Sequence, residues 1–299
     1  MEIELYKLRG LGGCLQASYN LFNSNIKTII RKTWLPAMAF SLILACSVLI
    51  KLPAGLPMVI TPEVQMAYLK FLGGTVALAI LSVVALTWLN THVVSLLNGQ
   101  SAARNWPRVM RQMLLATGVT LLVGILVAGV WELTLLSAPA KTGPTPQTLN
   151  MASALAGLTV LVAVIVCIPT VYSTMKYYME PDQKVMSIFG KPYAQGWRRW
   201  GFLFMAGFLT LLIAALIYVV TQTPVFLVRL SQMADDNGTM MGDPSGLPQY
   251  FTALAFAVIF LCNLVWTYVM IWSEMVAYYV YGSIEQKLRE RNNNNNIQA

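Results

Sequence analysis

From residue 34 onward the chain alternates long apolar runs with short polar segments. A helix crossing the roughly 30 Å hydrocarbon core of a bilayer needs about 20 mainly apolar residues. Six stretches meet that requirement: Trp34 to Ile50, Tyr68 to Val94, Met113 to Leu136, Met151 to Tyr172, Trp200 to Val220 and Tyr250 to Val276. The first is short, and the second and last are long enough to tilt or to project beyond the lipid. Ahead of the first, Leu15, Tyr19, Phe22, Ile26, Ile29 and Ile30 recur at helical spacing. They predict an amphipathic helix, lying either along the membrane surface or packed beneath the bundle. The expected fold is all-α, a polytopic helical membrane protein. Its parts are an amphipathic segment at 1–33, a six-span transmembrane domain at 34–284 and a tail at 285–299. Asn292 to Asn296 form a polar homopolymer that cannot bury a core, so the tail is expected to be disordered.

Composition agrees with this pattern. The 299 residues are 57% hydrophobic and 11% charged, against about 25% charged in an average soluble protein. So few charges cannot cover a water-facing surface, whereas helices in lipid can be apolar on every side. About thirty mixed residues precede the first run, unlike a cleavable signal peptide, so the first span is expected to remain as an anchor.

The net charge of +8 does not imply nucleic acid, because the basic residues form short groups beside apolar runs and no continuous stripe. Those groups orient the spans. Lys7, Arg9, Lys27, Arg31 and Lys32 precede the first span, and Arg104, Arg108 and Arg111 separate the second and third. Lys176, Lys184, Lys191, Arg198 and Arg199 separate the fourth and fifth, and Lys287, Arg289 and Arg291 follow the last. Only Lys51, Lys70, Lys141 and Arg229 fall to the other side. By the positive-inside rule both termini are cytoplasmic.

The outer segments Leu52 to Ala67 and Ser137 to Asn150 are rich in proline and read as short exposed loops. Asp235, Asp236 and Asn237 lack the ligand spacing of a calcium loop. Cys14, Cys46, Cys167 and Cys262 are too scattered to suggest a disulfide framework or a zinc knuckle. No metal and no cofactor is expected.

Tryptophan with basic residues recurs ahead of the odd spans: Arg31-Lys32-Thr33-Trp34, Trp106-Pro107-Arg108 and Trp197-Arg198-Arg199-Trp200. The even spans end on Leu96-Leu97, Tyr177-Tyr178 and Tyr278-Tyr279. Three helical hairpins, each preceded by a cytoplasmic interfacial helix, would account for both patterns. Superposing the three ends sets His92, Ser173 and Glu274 at one level near the cytoplasmic boundary. The passage Tyr177-Tyr178-Met179-Glu180-Pro181-Asp182, continuing to Gly196-Trp197-Arg198-Arg199-Trp200-Gly201, resembles a loosely defined group of bacterial six-span proteins. That group includes the membrane domain joined to some glycerophosphodiester phosphodiesterases. The resemblance covers the hydropathy profile of nearly the whole chain, with its sequence detail in this one loop. It implies a bacterial inner-membrane protein and the same helical architecture. Members of the group mostly lack an assigned activity, so it implies little chemistry.

Ionisable residues inside spans are the first candidates for function, because a charge at the bilayer centre costs roughly 2.5–3.5 kcal/mol even on the lenient insertion scale. Glu132 follows Trp131 close to the expected outer boundary, where it can reach water or headgroups. His92, Ser173 and Glu274 form a candidate polar or proton site, in which an imidazole beside a carboxylate would titrate near neutrality; the alternative is that they bind water or backbone at the interface. Arg31, Lys32, Trp34, Trp197, Arg198, Arg199 and Trp200 are candidate contacts for anionic lipid headgroups or a membrane-protein partner. The chain has one histidine, no His-Glu-x-x-His helix, no Gly-x-Ser-x-Gly elbow and no phosphate-binding Gly-x-x-x-x-Gly-Lys loop, which argues against the corresponding enzymes. The leading expectation is a noncatalytic scaffold or regulatory membrane component. The alternative is a transporter or lipid-handling permease built on the polar cluster.

Overall fold

The computed structural model describes residues 4–50, 62–137, 145–244 and 246–298. The described residues form eight α-helices: α1 (Leu11–Ser24), α2 (Ile26–Ala45), α3 (Pro62–Asn98), α4 (Ala102–Leu136), α5 (Pro146–Met179), α6 (Lys191–Trp197), α7 (Trp200–Met240) and α8 (Phe251–Gln298). Single 3₁₀ turns follow α2 at Cys46–Leu49 and precede α6 at Val185–Phe189. Among the described residues there is no strand, and six helices are long and apolar enough to cross a membrane. The chain is an all-α, multi-pass membrane protein. Residues 51–61 and 138–144 of the proline-rich outer loops, Lys51 and Lys141 among them, lie outside the described residues.

Several boundaries differ from the sequence reading; α7, for example, runs on to Met240, well past Val220, and α4 begins at Ala102, ahead of Met113. The first spanning helix begins at Ile26, eight residues before the apolar run, and Asn25 (φ −113°, ψ 13°) separates it from α1. The last begins with the apolar run but continues to Gln298, through the tail expected to be disordered. An asparagine run nucleates no helix by itself, but extending an existing helix costs far less than starting one. Separate short helices, α1 and α6, precede the first and third hairpins. Ahead of the second there is none, because Trp106-Pro107-Arg108 are already part of α4.

Two compact units are present. The first comprises Gly12–Ala102 and Phe208–Val276. Here α1 buries Cys14, Ser18 and Leu21 and leaves Tyr19 exposed, so a narrow face of small residues packs inward and the aromatic face points out. Helix α2 packs on α3 and buries Ile29, Thr33, Pro36, Ala37 and Phe40 along one stripe; the buried Ala85, Leu89 and Val93 of α3 are likewise four apart. Ala45 and Val48 then join Val228 of α7 and Ala255 and Ile259 of α8 in one apolar cluster. Ser41 of α2 lies 3.4 Å, oxygen to oxygen, from Thr267 of α8. Lipid tails are as apolar as leucine, so such contacts gain mainly from packing and hydrogen bonding.

The second unit comprises Glu4–Leu11, Ala103–Gly207 and the chain from Ala277. Helix α5 starts on a side-chain cap, with Thr145 Oγ1 accepting the Thr148 N–H at 3.2 Å and Pro146 in the first turn. It ends on a cap supplied by α4. The Arg108 guanidinium donates to the carbonyls of Glu180 and Pro181 at 2.8 Å and to that of Tyr177, and lies over the Tyr177 ring. A cation at a helix C-terminus satisfies orphan carbonyls and complements the dipole.

The N-terminal segment lies along α8. Arg9 N–H donates to Ser283 Oγ at 3.0 Å, and that hydroxyl returns a bond to the Arg9 carbonyl at 2.9 Å. Gly282 makes this approach feasible, since a β-carbon there would overlap both the side chain and the carbonyl of Leu5. Gly282→Ala should therefore release residues 4–10. Limited trypsin digestion in detergent should show faster cleavage at Lys7 and Arg9, with no change in Gly201→Ala, where the added methyl meets open space.

Candidate functional site

Proline at position 169 sets the geometry of the basic end of the second unit. Lacking an N–H, Pro169 leaves the carbonyl of Ile165, four residues earlier, without its helical donor. The Trp200 indole N–H takes that place at 3.2 Å, and the Tyr193 hydroxyl donates to the neighbouring Val166 carbonyl at 2.8 Å. Gly196, between these two donors, is buried directly on Pro169, where a β-carbon would come within 2.9 Å of the Pro169 carbonyl. The segment 190–200 is thus fastened to α5 by two hydrogen bonds and one close backbone approach.

That fastening gives the segment two faces. Phe189, Tyr193 and Trp197 follow one another at four-residue spacing with edge-on ring contacts, and Phe189 and Trp197 are exposed. On the other side Gln195, Arg198 and Arg199 join Lys176 of α5 and Glu285, Leu288, Arg289, Arg291 and Asn292 of α8 around a half-open hollow of about 690 Å³. Five cations and one carboxylate line it. A smaller hollow of about 350 Å³ shares Arg199 and adds Arg9 and Lys287, and a third of about 310 Å³ shares Lys176 and Gln195 and adds Lys191.

The floor of the main hollow is a closed polar network. Glu285 is 8% exposed. One of its oxygens accepts from Lys176 Nζ at 3.1 Å and the other from the Tyr172 hydroxyl at 2.6 Å. Tyr172 also sits 3.2 Å from the Gln195 side-chain oxygen. Lys176 lies 3.5 Å from Glu180, which is itself 3.5 Å from the Tyr281 hydroxyl. A buried charge persists only when paired and hydrogen-bonded, and here Lys176 and Glu285 meet both conditions.

The rim differs. Among the described residues Arg198, Arg199, Arg289 and Arg291 form no ion pair and no side-chain hydrogen bond. Arg289 lies 3.8 Å over the Tyr6 ring, a contact that uses the guanidinium face and leaves its edge donors available.

The residues singled out in the sequence divide accordingly. Arg198 and Arg199 line the hollow, Trp200 anchors its wall, and Trp197 stands on the exposed aromatic stripe. Arg31, Lys32 and Trp34 are exposed on α2 in the first unit. His92 and Glu274 also belong to the first unit, each partly buried, and no ion pair or hydrogen bond joins them. Ser173 belongs to the second unit and gives its hydroxyl to the carbonyls of Thr170 and Pro169, 3.3 and 3.4 Å away, on its own helix. Asp235 accepts the Gly246 N–H at 2.8 Å. Among the described residues no group of three His, Cys, Asp or Glu side chains is placed to hold a metal ion. Sequence reasoning missed the Tyr172–Glu285–Lys176 network and the cap formed by Arg108. One signal was available: Tyr278, Tyr281 and Glu285 share a helical face just beyond the last apolar run.

No family model, no curated protein and no solved structure matches this chain.

Two measurements probe the site's supports. Lys176→Met leaves Glu285 buried without its cation and should cost about 3–5 kcal/mol. Lys176→Met with Glu285→Gln should recover part of that loss, seen as a coupling in chemical unfolding in detergent. Trp200→Phe strands the Ile165 carbonyl and should cost about 1–3 kcal/mol, whereas Trp197→Phe at the exposed stripe should leave the midpoint unchanged.

Proposed function

We propose that this chain is a noncatalytic membrane protein that organises or regulates other membrane components through its basic, tryptophan-rich face. In this reading it resides in a bacterial inner membrane with both termini cytoplasmic, and it is kin to the six-span membrane domain joined to some glycerophosphodiester phosphodiesterases. The observation that carries it is the unpaired arginine rim of the main hollow, where Arg198, Arg199, Arg289 and Arg291 converge from two chain segments. Pairing within the protein consumes the charges of Lys176 and Glu285 and leaves those of the rim available to something outside it. The distribution of lysine and arginine between loops supports the cytoplasmic assignment of that face.

The alternative, a transporter or lipid-handling permease, relies on His92, Ser173 and Glu274. The three hollows are lined by other residues, and Ser173 spends its hydroxyl on its own helix, so the scaffold reading is preferred.

The test is native mass spectrometry of the chain purified in mild detergent, with co-purifying proteins quantified against an unrelated six-span control. A stoichiometric partner retained by Glu274→Gln and lost from Arg198→Gln/Arg199→Gln is the expected result. A chain that carries no partner, and whose pH-dependent solute flux in vesicles disappears with Glu274→Gln, would establish transport instead.

A further inference from the structure

We infer that the 690 Å³ hollow is a binding site for an anion carrying two phosphate groups. This deepens the proposed role by naming what the basic face takes, and it rests on that reading only for the side of the membrane.

Three features of the hollow point to this ligand. The first is charge: Lys176, Arg198, Arg199, Arg289 and Arg291 line it and face one carboxylate, Glu285, whose two oxygens are already occupied by Lys176 and Tyr172. An incoming anion therefore meets four arginines with no internal counter-ion. The guanidinium fork matches phosphate oxygens with paired, parallel N–H bonds, which an ammonium does not supply.

The second is arrangement. Arg198 and Arg199 stand on the turn between α6 and α7, and Arg289 and Arg291 on α8. A single phosphate would leave one pair unneutralised, whereas two phosphates joined by a short linker would answer both. The volume lies within the roughly 300–1,000 Å³ of small-molecule sites.

The third is rigidity and depth. The arginine turn is pinned to α5 by Trp200, Tyr193 and Gly196, and Arg289 is held by Tyr6, so the backbone that carries Arg198 and Arg199 is placed before a ligand arrives and only side-chain freedom is lost on binding. Trp197, exposed on the same segment, is the kind of side chain that settles at headgroup level. A diphosphate at that level has two sources, the headgroup of a diphosphatidyl lipid or a soluble diphosphate from the aqueous side.

The full chain, labelled at one site, is reconstituted into phosphatidylcholine vesicles in which the content of a diphosphatidyl lipid is raised stepwise. Vesicles with phosphatidylglycerol at matched charge serve as the control, and inorganic pyrophosphate is titrated separately. Arg198→Gln/Arg199→Gln and Arg289→Gln/Arg291→Gln should each weaken the preferred ligand roughly tenfold or more. Arg31→Gln/Lys32→Gln, which removes the same charge from the first unit, should change it far less. Unaltered thermal midpoints verify that the variants are folded. Preference for the diphosphatidyl vesicles without competition by pyrophosphate assigns the lipid source, and direct binding and competition by pyrophosphate assign the soluble one. Equal losses in all three variants, equal binding to both vesicle types with no pyrophosphate binding, or no binding at all would overturn the site. Because no other protein is present, failure to find a partner for the scaffold role leaves this result untouched, and loss of the site leaves the partner result standing.

Discussion

The basic end of the second unit depends on a backbone carbonyl that its own helix cannot satisfy. Ile165 would accept from residue 169 in an uninterrupted helix, and Pro169 has no hydrogen to give. Away from water an unpaired carbonyl costs about 1–3 kcal/mol, because nothing replaces the missing donor. The Trp200 indole resolves this locally, and the consequences extend further. To bring Trp200 there the chain must turn tightly after α6, and only a residue without a side chain can sit on Pro169 at position 196. That turn carries Arg198 and Arg199. A defect in α5 thus fixes the place of two cations more than thirty positions later in the chain.

The charged residues then separate into two groups by what their surroundings demand. Arg108 is consumed as a cap, its donors shared among the carbonyls that end α5. Arg9 is spent on the N-terminal segment, where it donates to the carbonyls of Glu4 and Leu5 and lies over Tyr279. Lys176 and Glu285 neutralise one another in the interior, with Tyr172 supplying the second hydrogen bond. These interactions hold α4, α5, α8 and the N-terminal segment in one unit, and their charge cannot serve a ligand without dismantling it. The rim arginines play no such part, which distinguishes them from Arg108 and Arg9 despite identical chemistry.

This distinction explains what the sequence could and could not disclose. The six spans were legible because twenty apolar residues in a row have few other uses, and the tryptophan-arginine clusters were legible as interfacial marks. The ends of the spans were not. Hydropathy cannot separate residues buried in protein from residues buried in lipid: Val280 and Ile284 lie inside the second unit beyond the end assigned to the sixth span, and α2 takes up Ile26, Ile29 and Ile30 that read as an amphipathic lead. Arg108 was visible only as an orientation signal, since its partners are carbonyls that no residue code records. His92, Ser173 and Glu274 were aligned by equal height in a repeat. Equal height says nothing about which way a side chain points, and Ser173 bonds to the preceding turn of its own helix.

The way the arginines are held favours recognition over nonspecific attraction to a charged surface. Basic residues on flexible loops gain about 1 kcal/mol each near an anionic membrane and lose it as salt screens the field. Such attraction needs charge without geometry. Here the segment carrying Arg198 and Arg199 is tied to backbone acceptors on α5, Arg289 is stacked on Tyr6, and a completed carboxylate network closes the floor beneath them. Backbone acceptors on a continuous helix move less than side chains do, so the backbone carrying the two cations inherits the stiffness of α5. Fixed attachment points can then appear as preference for a ligand whose charges match their spacing. Glu180 adds no counter-charge to the rim, because its carboxylate is turned toward Lys176 and Tyr281.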